Sequence, residues 1–407
     1  MTSDRRFVIV GGGLAAAGLA RALRAADFDG SLTLVGAEEH LPYERPPLSK
    51  EFLLGKKRLP DFTVEAAQWY RDHHVDVLLG TAVTGIDRSA KTVTLPDHST
   101  LPYDKLALAT GSSSRWLPVP GADAPNVHTL RTVDDARVLA ELLEQRAGLA
   151  IIGAGWIGME VAAAARTRGC EVTVVETAEV PLLGALGPEM GAVFAELHRE
   201  HGVDLRLGAR VAEIVTDEHG RATGLRTADG MTAPADAVLI AVGAEPDIEL
   251  AKQAGLATGG GVLVDAALRT SDPDIVAVGD IAEQQHPRLG TRVRVEHWAN
   301  ALNQPEVAAA TMLGREAVYD RLPYFFTDQY DLGMEYTGHV PPGADARVVV
   351  RGDAARREFV AFWLDAGNRV LAGMNVNVWD VTDRIKELIT SGDPVDPWLL
   401  ADTTRPL

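Results

Sequence analysis

Two glycine fingerprints constrain the fold of this chain more than any other feature. The first is Val8-Ile9-Val10-Gly11-Gly12-Gly13-Leu14-Ala15-Ala16 and the second is Ile151-Ile152-Gly153-Ala154-Gly155-Trp156-Ile157-Gly158. Each follows a short apolar run that reads as a buried strand and opens a stretch of helical pattern. In such a unit the first glycine permits a tight turn and the second lets the backbone approach a pyrophosphate. The third small residue lets the helix pack closely on the strand. Gly11, Gly13 and Ala16 take these places in the first copy, and Gly153, Gly155 and Gly158 in the second. The phosphates would then meet N–H groups at a helix N-terminus, so the pair predicts a chain that holds two dinucleotides.

The copies differ at their second strands. Beyond the second fingerprint, Glu171-Val172-Thr173-Val174-Val175-Glu176 reads as the next strand. Its final carboxylate stands at the separation of about 20 residues from which it can accept hydrogen bonds from an adenosine ribose. No arginine is placed to meet a 2′-phosphate, and Glu179 adds a second carboxylate, so NADH is expected over NADPH. In the first copy, Ser31-Leu32-Thr33-Leu34-Val35-Gly36 ends in glycine where the acid should be, and Glu38 or Glu39 just beyond could take the role. This less regular copy suits a flavin dinucleotide that stays bound.

A length of 407 residues allows two or three domains. The net charge of −18, from 39 basic and 57 acidic residues, argues against nucleic acid or an anionic membrane as partner. The first residues show no apolar signal core and no run is long enough to span a bilayer, so a cytoplasmic protein is expected. Cys170 is the only thiol. The chain therefore cannot run dithiol chemistry by itself or hold an iron–sulfur cluster, and Cys170 reads as a small buried residue.

Along the chain, residues 7–36 form a strand–helix–strand unit, followed by a stiff proline-rich loop over residues 41–50. Stretches around Val75–Leu79 and Lys91–Leu95 alternate like strands of a small inserted sheet. Residues 103–109 read as a buried strand ending at Thr110-Gly111, and Thr132-Val133-Asp134-Asp135 as a helix start. Strands continue through residues 236–243, and Glu245-Pro246-Asp247 marks a crossing. Residues 274–280 then return the chain to the first domain, and Asp280 at the end of that strand could also cap a following helix. Beyond Pro323 come strands around Arg347–Val350, Glu358–Leu364 and Val370–Val378, then a helix from Val381 to Ile389. The expectation is an α/β chain with a discontinuous first domain (1–112 and 245–322), a second domain (113–244) and a C-terminal α+β domain (323–407).

Both fingerprints, Arg45-Pro46-Pro47-Leu48-Ser49-Lys50, Ala109-Thr110-Gly111, Val278-Gly279-Asp280 and Glu296-His297-Trp298 occur in this order. With them, over nearly its whole length, the chain resembles the FAD-dependent NADH:ferredoxin reductases. These are the reductases of the putidaredoxin reductase, rhodocoxin reductase and aromatic dioxygenase type. The resemblance implies a glutathione-reductase-like fold of two Rossmann-type domains, with FAD bound in the first and NADH in the second. It implies a small [2Fe–2S] ferredoxin as acceptor, serving a cytochrome P450 or a dioxygenase. Hydride would pass from nicotinamide C4 to flavin N5, followed by two single-electron transfers. A monomer or weak dimer is expected.

Carried over residue by residue, the resemblance puts the Lys50 ammonium near flavin N5 and Arg45 at the FAD phosphate or adenosine. It pairs Glu160 with Lys50, facing the nicotinamide carboxamide, and makes these two the residues of the hydride step. Asp280 would hold the ribityl chain, and Thr110, Gly111 and Arg131 would surround the FAD. Val83 would meet adenine through its backbone, and Trp298 and Phe326 would lie beside the flavin, Phe326 standing where some members carry tryptophan. No nucleophile or metal ligand is implied. Arg288, Arg292 and Arg294, or Arg351, Arg356 and Arg357, could form a basic patch for an acidic ferredoxin. Two other readings are an NADH oxidase or quinone or dye reductase without a ferredoxin, and an NADH-responsive redox-sensing protein resembling apoptosis-inducing factor.

Overall fold

Phe7–Val10 and Leu106–Leu108 are apolar and buried at every position, the pattern of strands covered on both faces. In the computed structural model, which describes residues 4–407, both lie inside a parallel sheet. The chain groups into two units. The first comprises the described residues up to Glu44, Leu59–Ser113 and Glu245–Tyr324. The five strands of its parallel sheet run in the order Ile275–Ala277, Lys105–Leu108, Arg6–Val10, Ser31–Val35, Val75–Leu78. Strand order reverses between Arg6–Val10 and Lys105–Leu108, and the crevice at such a point is where α/β sheets take ligands.

The helix Leu14–Ala25 buries Ala15, Ala16, Ala17, Leu19, Ala20 and Leu23, mostly small residues that allow close approach. A Cβ on Gly18 would stand 3.0 Å from Pro305, so glycine on one helix makes room for a proline inside Trp298–Met312. Val75–Leu78 corrects an expectation: it is the outer parallel strand of the main sheet, paired with Ser31–Val35. The small antiparallel sheet is Gly85–Asp87, Thr92–Thr94 and Thr100–Pro102. The short helix Ala67–Asp72 carries the chain back so that Val75–Leu78 returns parallel, and alternation alone does not distinguish the two. Asp280 also departs from expectation. It lies inside the 3-10 turn Gly279–Ile281, which runs straight into the strand Ala282–Gln285, so no α-helix follows it directly.

The second unit comprises Arg45–Arg58, Ser114–Ala244 and Phe325–Leu407. Its parallel sheet repeats the first design in the order Asp204–Arg206, Val172–Val175, Leu149–Ile152, Ala237–Ile240, Val127–His128. Thr132 and Asp135 form a reciprocal capping box that starts the helix Val133–Glu144. A five-stranded antiparallel sheet follows in the order Tyr324–Gln329, Leu332–Gly338, Val370–Val376, Glu358–Leu364, Arg347–Asp353. The first two of these strands were not read in the sequence. The helix Leu183–Glu200 shares one core with this sheet, through Leu186, Phe194 and Leu197 against Met334, Phe359, Trp363 and Met374.

Cys170 is fully buried, and burial pushes its thiol above the ordinary value. Native protein is therefore expected to resist an aromatic disulfide reagent and to take up one equivalent once unfolded in guanidinium. Fast labelling of the native state would contradict this packing. Among the described residues, no helix is long and apolar enough to cross a membrane.

Candidate functional site

The first glycine of each fingerprint is required twice over. Gly11 has φ +133, and a Cβ there would lie 2.1 Å from the Ala109 carbonyl oxygen. Gly153 has φ +105, and its Cβ would lie 2.5 Å from the Ala241 oxygen. In both units the obstacle is the carbonyl at the end of the strand across the switch point. Gly13 and Gly155 precede their helices with no side-chain cap, no acid follows in the first turn, and a Cβ on either meets nothing within 4 Å. Each helix thus presents unsatisfied N–H groups and its positive dipole end to open space, which fits a pyrophosphate in both units. The third position separates the copies. A Cβ on Gly158 would strike the Gly153 oxygen at 2.1 Å, whereas Ala16 carries its buried methyl in the first copy.

Around the first cradle the turn is pinned by main-chain and short polar contacts. Thr110 donates its hydroxyl to the Asp247 oxygen at 2.9 Å, and Asp247 N donates to the Gly111 oxygen at 3.0 Å. Gly279, at φ +76, stands against Ala15 and donates its N–H to Gln304 Oε1 at 2.7 Å. Asp280 follows directly in the chain after the residue that meets the first fingerprint's helix at Ala15. Burial pushes His297 down to about 4, against the pull of the nearby Asp280 charge, and Trp298 opens the next helix. Glu38 accepts a hydrogen bond from the Tyr43 hydroxyl, while Glu39 is exposed. Val83 is half-buried against the core. An anion cradle, a carboxylate at its rim and an apolar wall fit an adenine dinucleotide.

In the second unit the Pro-Pro pair folds Pro46–Ser49 into a 3-10 turn that fixes the residues on either side. Arg45 donates to the Arg131 carbonyl, and Arg131 N donates to Asp135 of the capping box at 2.9 Å. After the turn, Lys50 Nζ lies 2.7 Å from Glu160 Oε2, with the side chains 10% and 5% exposed. Ser49 also donates to Glu160 Oε2, and the Thr327 hydroxyl donates to Oε1 at 2.6 Å. The Lys50 ammonium sits 5.8 Å from the centre of the Phe326 ring, within cation–π reach. Glu176 accepts from Ala154 N at 2.7 Å, Ala178 N at 2.8 Å and Thr177 Oγ1 at 2.9 Å. Burial raises its carboxyl, but these bonds outweigh that and hold it below the ordinary value. Glu176 is therefore a fixed anion beside the second glycine turn.

Within the second unit the structure brings together Lys50, Glu160 and Phe326, and separately Arg45 with Arg131. Within the first it brings Thr110 and Gly111 to Asp247, and Gly279, the chain neighbour of Asp280, to the helix of the first fingerprint. Ser49, Thr327 and Asp247 were missed as polar partners. Thr327 and Gln329 are buried and Asp328 between them is exposed, but all three are polar, so no apolar alternation in the sequence marks this face.

The two candidate basic patches are largely neutralised. Arg288 pairs with Asp320, Arg294 with Glu296, Arg356 with Asp353 and Arg357 with Glu200. Arg292 and Arg351 donate to main-chain carbonyls. Neither group is a field of cations held ready for an acidic partner.

Residues 5–304 match the pyridine nucleotide-disulphide oxidoreductase family and residues 324–407 match the reductase C-terminal family. The ferredoxin–NAD(+) reductase component of the anthranilate 1,2-dioxygenase system of Burkholderia cepacia is 42% identical over 398 residues, 98% of this chain and 97% of that protein. Rhodocoxin reductase of Rhodococcus erythropolis is 40% identical, over 98% of this chain and 92% of that protein. The reductase in the crystal structure of the covalent putidaredoxin reductase–putidaredoxin complex is similar with a TM-score of 0.95 and 37% identity, covering 99% of this chain and 97% of that one. The chain belongs to the pyridine nucleotide-disulphide oxidoreductases that carry a reductase C-terminal domain, the family of the ferredoxin–NAD(+) reductases.

Proposed function

We propose that this chain is an FAD-dependent NADH:ferredoxin reductase that supplies electrons, through a small [2Fe–2S] ferredoxin, to a P450 or dioxygenase in the cytoplasm. In this reading residues 1–112 and 245–322 bind FAD, 113–244 bind NADH, and 323–407 complete the protein as a monomer or weak dimer. The observation that carries it is the buried Lys50–Glu160 pair in the unit of the second fingerprint, in a chain whose only thiol is buried. When bound, the flavin supplies the conversion of a two-electron hydride donor into single-electron steps.

The residues have positional tasks. Gly11, Gly13 and Ala16, with Thr110, Gly111 and Asp280, seat one dinucleotide, with Val83, Glu38 and Trp298 along its length. Gly153, Gly155, Gly158 and Glu176 seat the other. Arg45 and Arg131 hold the loop that delivers Lys50. Lys50 presents its ammonium to the reacting rings, and Glu160 holds that ammonium while its remaining acceptor capacity faces the nicotinamide amide. Phe326 bounds the same space. A buried ion pair contributes little net stability, so its value here is fixed geometry.

Steady-state NADH oxidation tests the acceptor. Added [2Fe–2S] ferredoxin is expected to raise turnover well above the rate with oxygen alone, with reduced ferredoxin accumulating. A rate unchanged by any ferredoxin but raised by quinone or dye would replace this reading with the diaphorase one. Glu176 sets donor choice. Wild type should prefer NADH over NADPH by about 100-fold in kcat/KM, and Glu176→Gln should shrink that ratio by relieving repulsion of the 2′-phosphate. A ratio near unity in wild type would remove Glu176 from the ribose site.

A further inference from the structure

Glu160 is the end of a longer polar chain than the hydride site requires. Thr327 donates its hydroxyl to Glu160 Oε1 at 2.6 Å. Its oxygen in turn accepts Gln329 Nε2 at 3.2 Å. Gln329 Oε1 lies 2.8 Å from His198 Nε2. Thr327 and Gln329 are 1% exposed and His198 is fully buried, on the helix Leu183–Glu200. The hydrogens are determined by the order of contacts. The Thr327 proton goes to the carboxylate, so Gln329 must point its amide N–H at Thr327 and its oxygen at His198, and His198 must carry its hydrogen on Nε2. Every dipole in the series then points toward Glu160.

The other end is closed. His198 Nδ1 is buried with no hydrogen-bond partner, and Tyr330 stands beside the imidazole with ring centres 5.2 Å apart. His201 stacks on the Tyr330 ring with centres 3.6 Å apart. Burial lowers His198 to about 4, with Gln329 pulling upward and His201 downward, so the imidazole is a neutral donor at neutral pH. A core that needed only packing here would use apolar residues, since hydrogen-bonded polar side chains bring little net stability over them and the unpartnered His198 Nδ1 costs some.

We infer that Thr327, Gln329 and His198 are positioning residues that hold the Glu160 carboxylate in one orientation against Lys50, so that the pair meets the nicotinamide in a single geometry. This rests on the hydride-transfer reading of Lys50 and Glu160. Ser49 and Lys50 both engage Oε2, so the relay alone fixes Oε1.

Two measurements on the holoenzyme test it. In anaerobic rapid mixing, Thr327→Val is expected to slow flavin reduction at saturating NADH by about tenfold or more, with the NADH dissociation constant changed by less than about threefold. Thr327→Ser should restore the rate. In a Glu160→Gln background Thr327→Val should add nothing. Independently of turnover, nitrogen-15 spectra of histidine-labelled protein should show His198 as a slowly exchanging Nε2–H tautomer whose shift moves in Thr327→Val and in Glu160→Gln. Normal reduction in Thr327→Val, failure of Thr327→Ser to rescue, full additivity with Glu160→Gln, or a His198 signal indifferent to both changes would each overturn the inference. If instead the wild-type flavin is not reduced by NADH, it is the hydride-transfer reading that fails.

Discussion

Lys50→Met is expected to slow flavin reduction by NADH about 100-fold while cofactor content stays near wild type, because the ammonium is lost and the Glu160 carboxylate is released from its set position. The same substitution leaves a carboxylate in a site 5% exposed, with only Ser49 and Thr327 to satisfy it. Breaking one side of a buried pair in this way costs roughly 3–5 kcal/mol of stability. The double variant Lys50→Met/Glu160→Gln removes both charges and is expected to recover most of that stability with hydride transfer still impaired. Denaturant melts read the first effect and rapid mixing the second. A double variant as unstable as Lys50→Met would mean the pair is a net source of stability. Wild-type reduction rates in Lys50→Met would remove the pair from the reaction.

The second large effect separates the two cradles. Gly11→Ala puts a methyl 2.1 Å from the Ala109 oxygen at a φ that side chains rarely adopt, and the protein should purify without flavin colour. Gly158→Ala places its methyl 2.1 Å from the Gly153 oxygen in the other unit. That variant should keep its flavin, bleach with dithionite and fail to bleach at NADH concentrations that saturate wild type. Loss of flavin from Gly158→Ala together with retention by Gly11→Ala would reverse the assignment of the two fingerprints. Thermal melts are needed alongside, since both methyls strain the backbone.

The features legible in the sequence are those set by local rules. The apolar runs Phe7–Val10 and Ile151–Ile152, the small third residues and the Thr132–Asp135 box each depend on neighbours a few positions away. The Lys50–Glu160 contact joins residues far apart in the chain and came from the family resemblance rather than from any pattern in the residues. Val75–Leu78 went to the wrong sheet because its alternation is equally that of an outer parallel strand. A capping use of Asp280 beside its ribityl one was conceivable because the strand's end is clear in sequence, while the short 3-10 turn that holds it leaves no periodic trace. Thr327 and Gln329 lie on the buried face of a strand that was not read in the sequence, and their partners Glu160 and His198 lie on two different helices. Whether the arginines at 288–294 and 351–357 form a patch was not legible in sequence, because Arg288 and Arg357 pair with Asp320 and Glu200, carboxylates remote in the chain.

The most direct test is an anaerobic titration of the purified yellow protein with NADH, followed by oxidised [2Fe–2S] ferredoxin. The account requires that one equivalent of NADH bleach the flavin without any added thiol, and that about two ferredoxins per flavin restore the colour as each takes a single electron. A colourless protein, or a yellow one that NADH leaves unbleached, would contradict it.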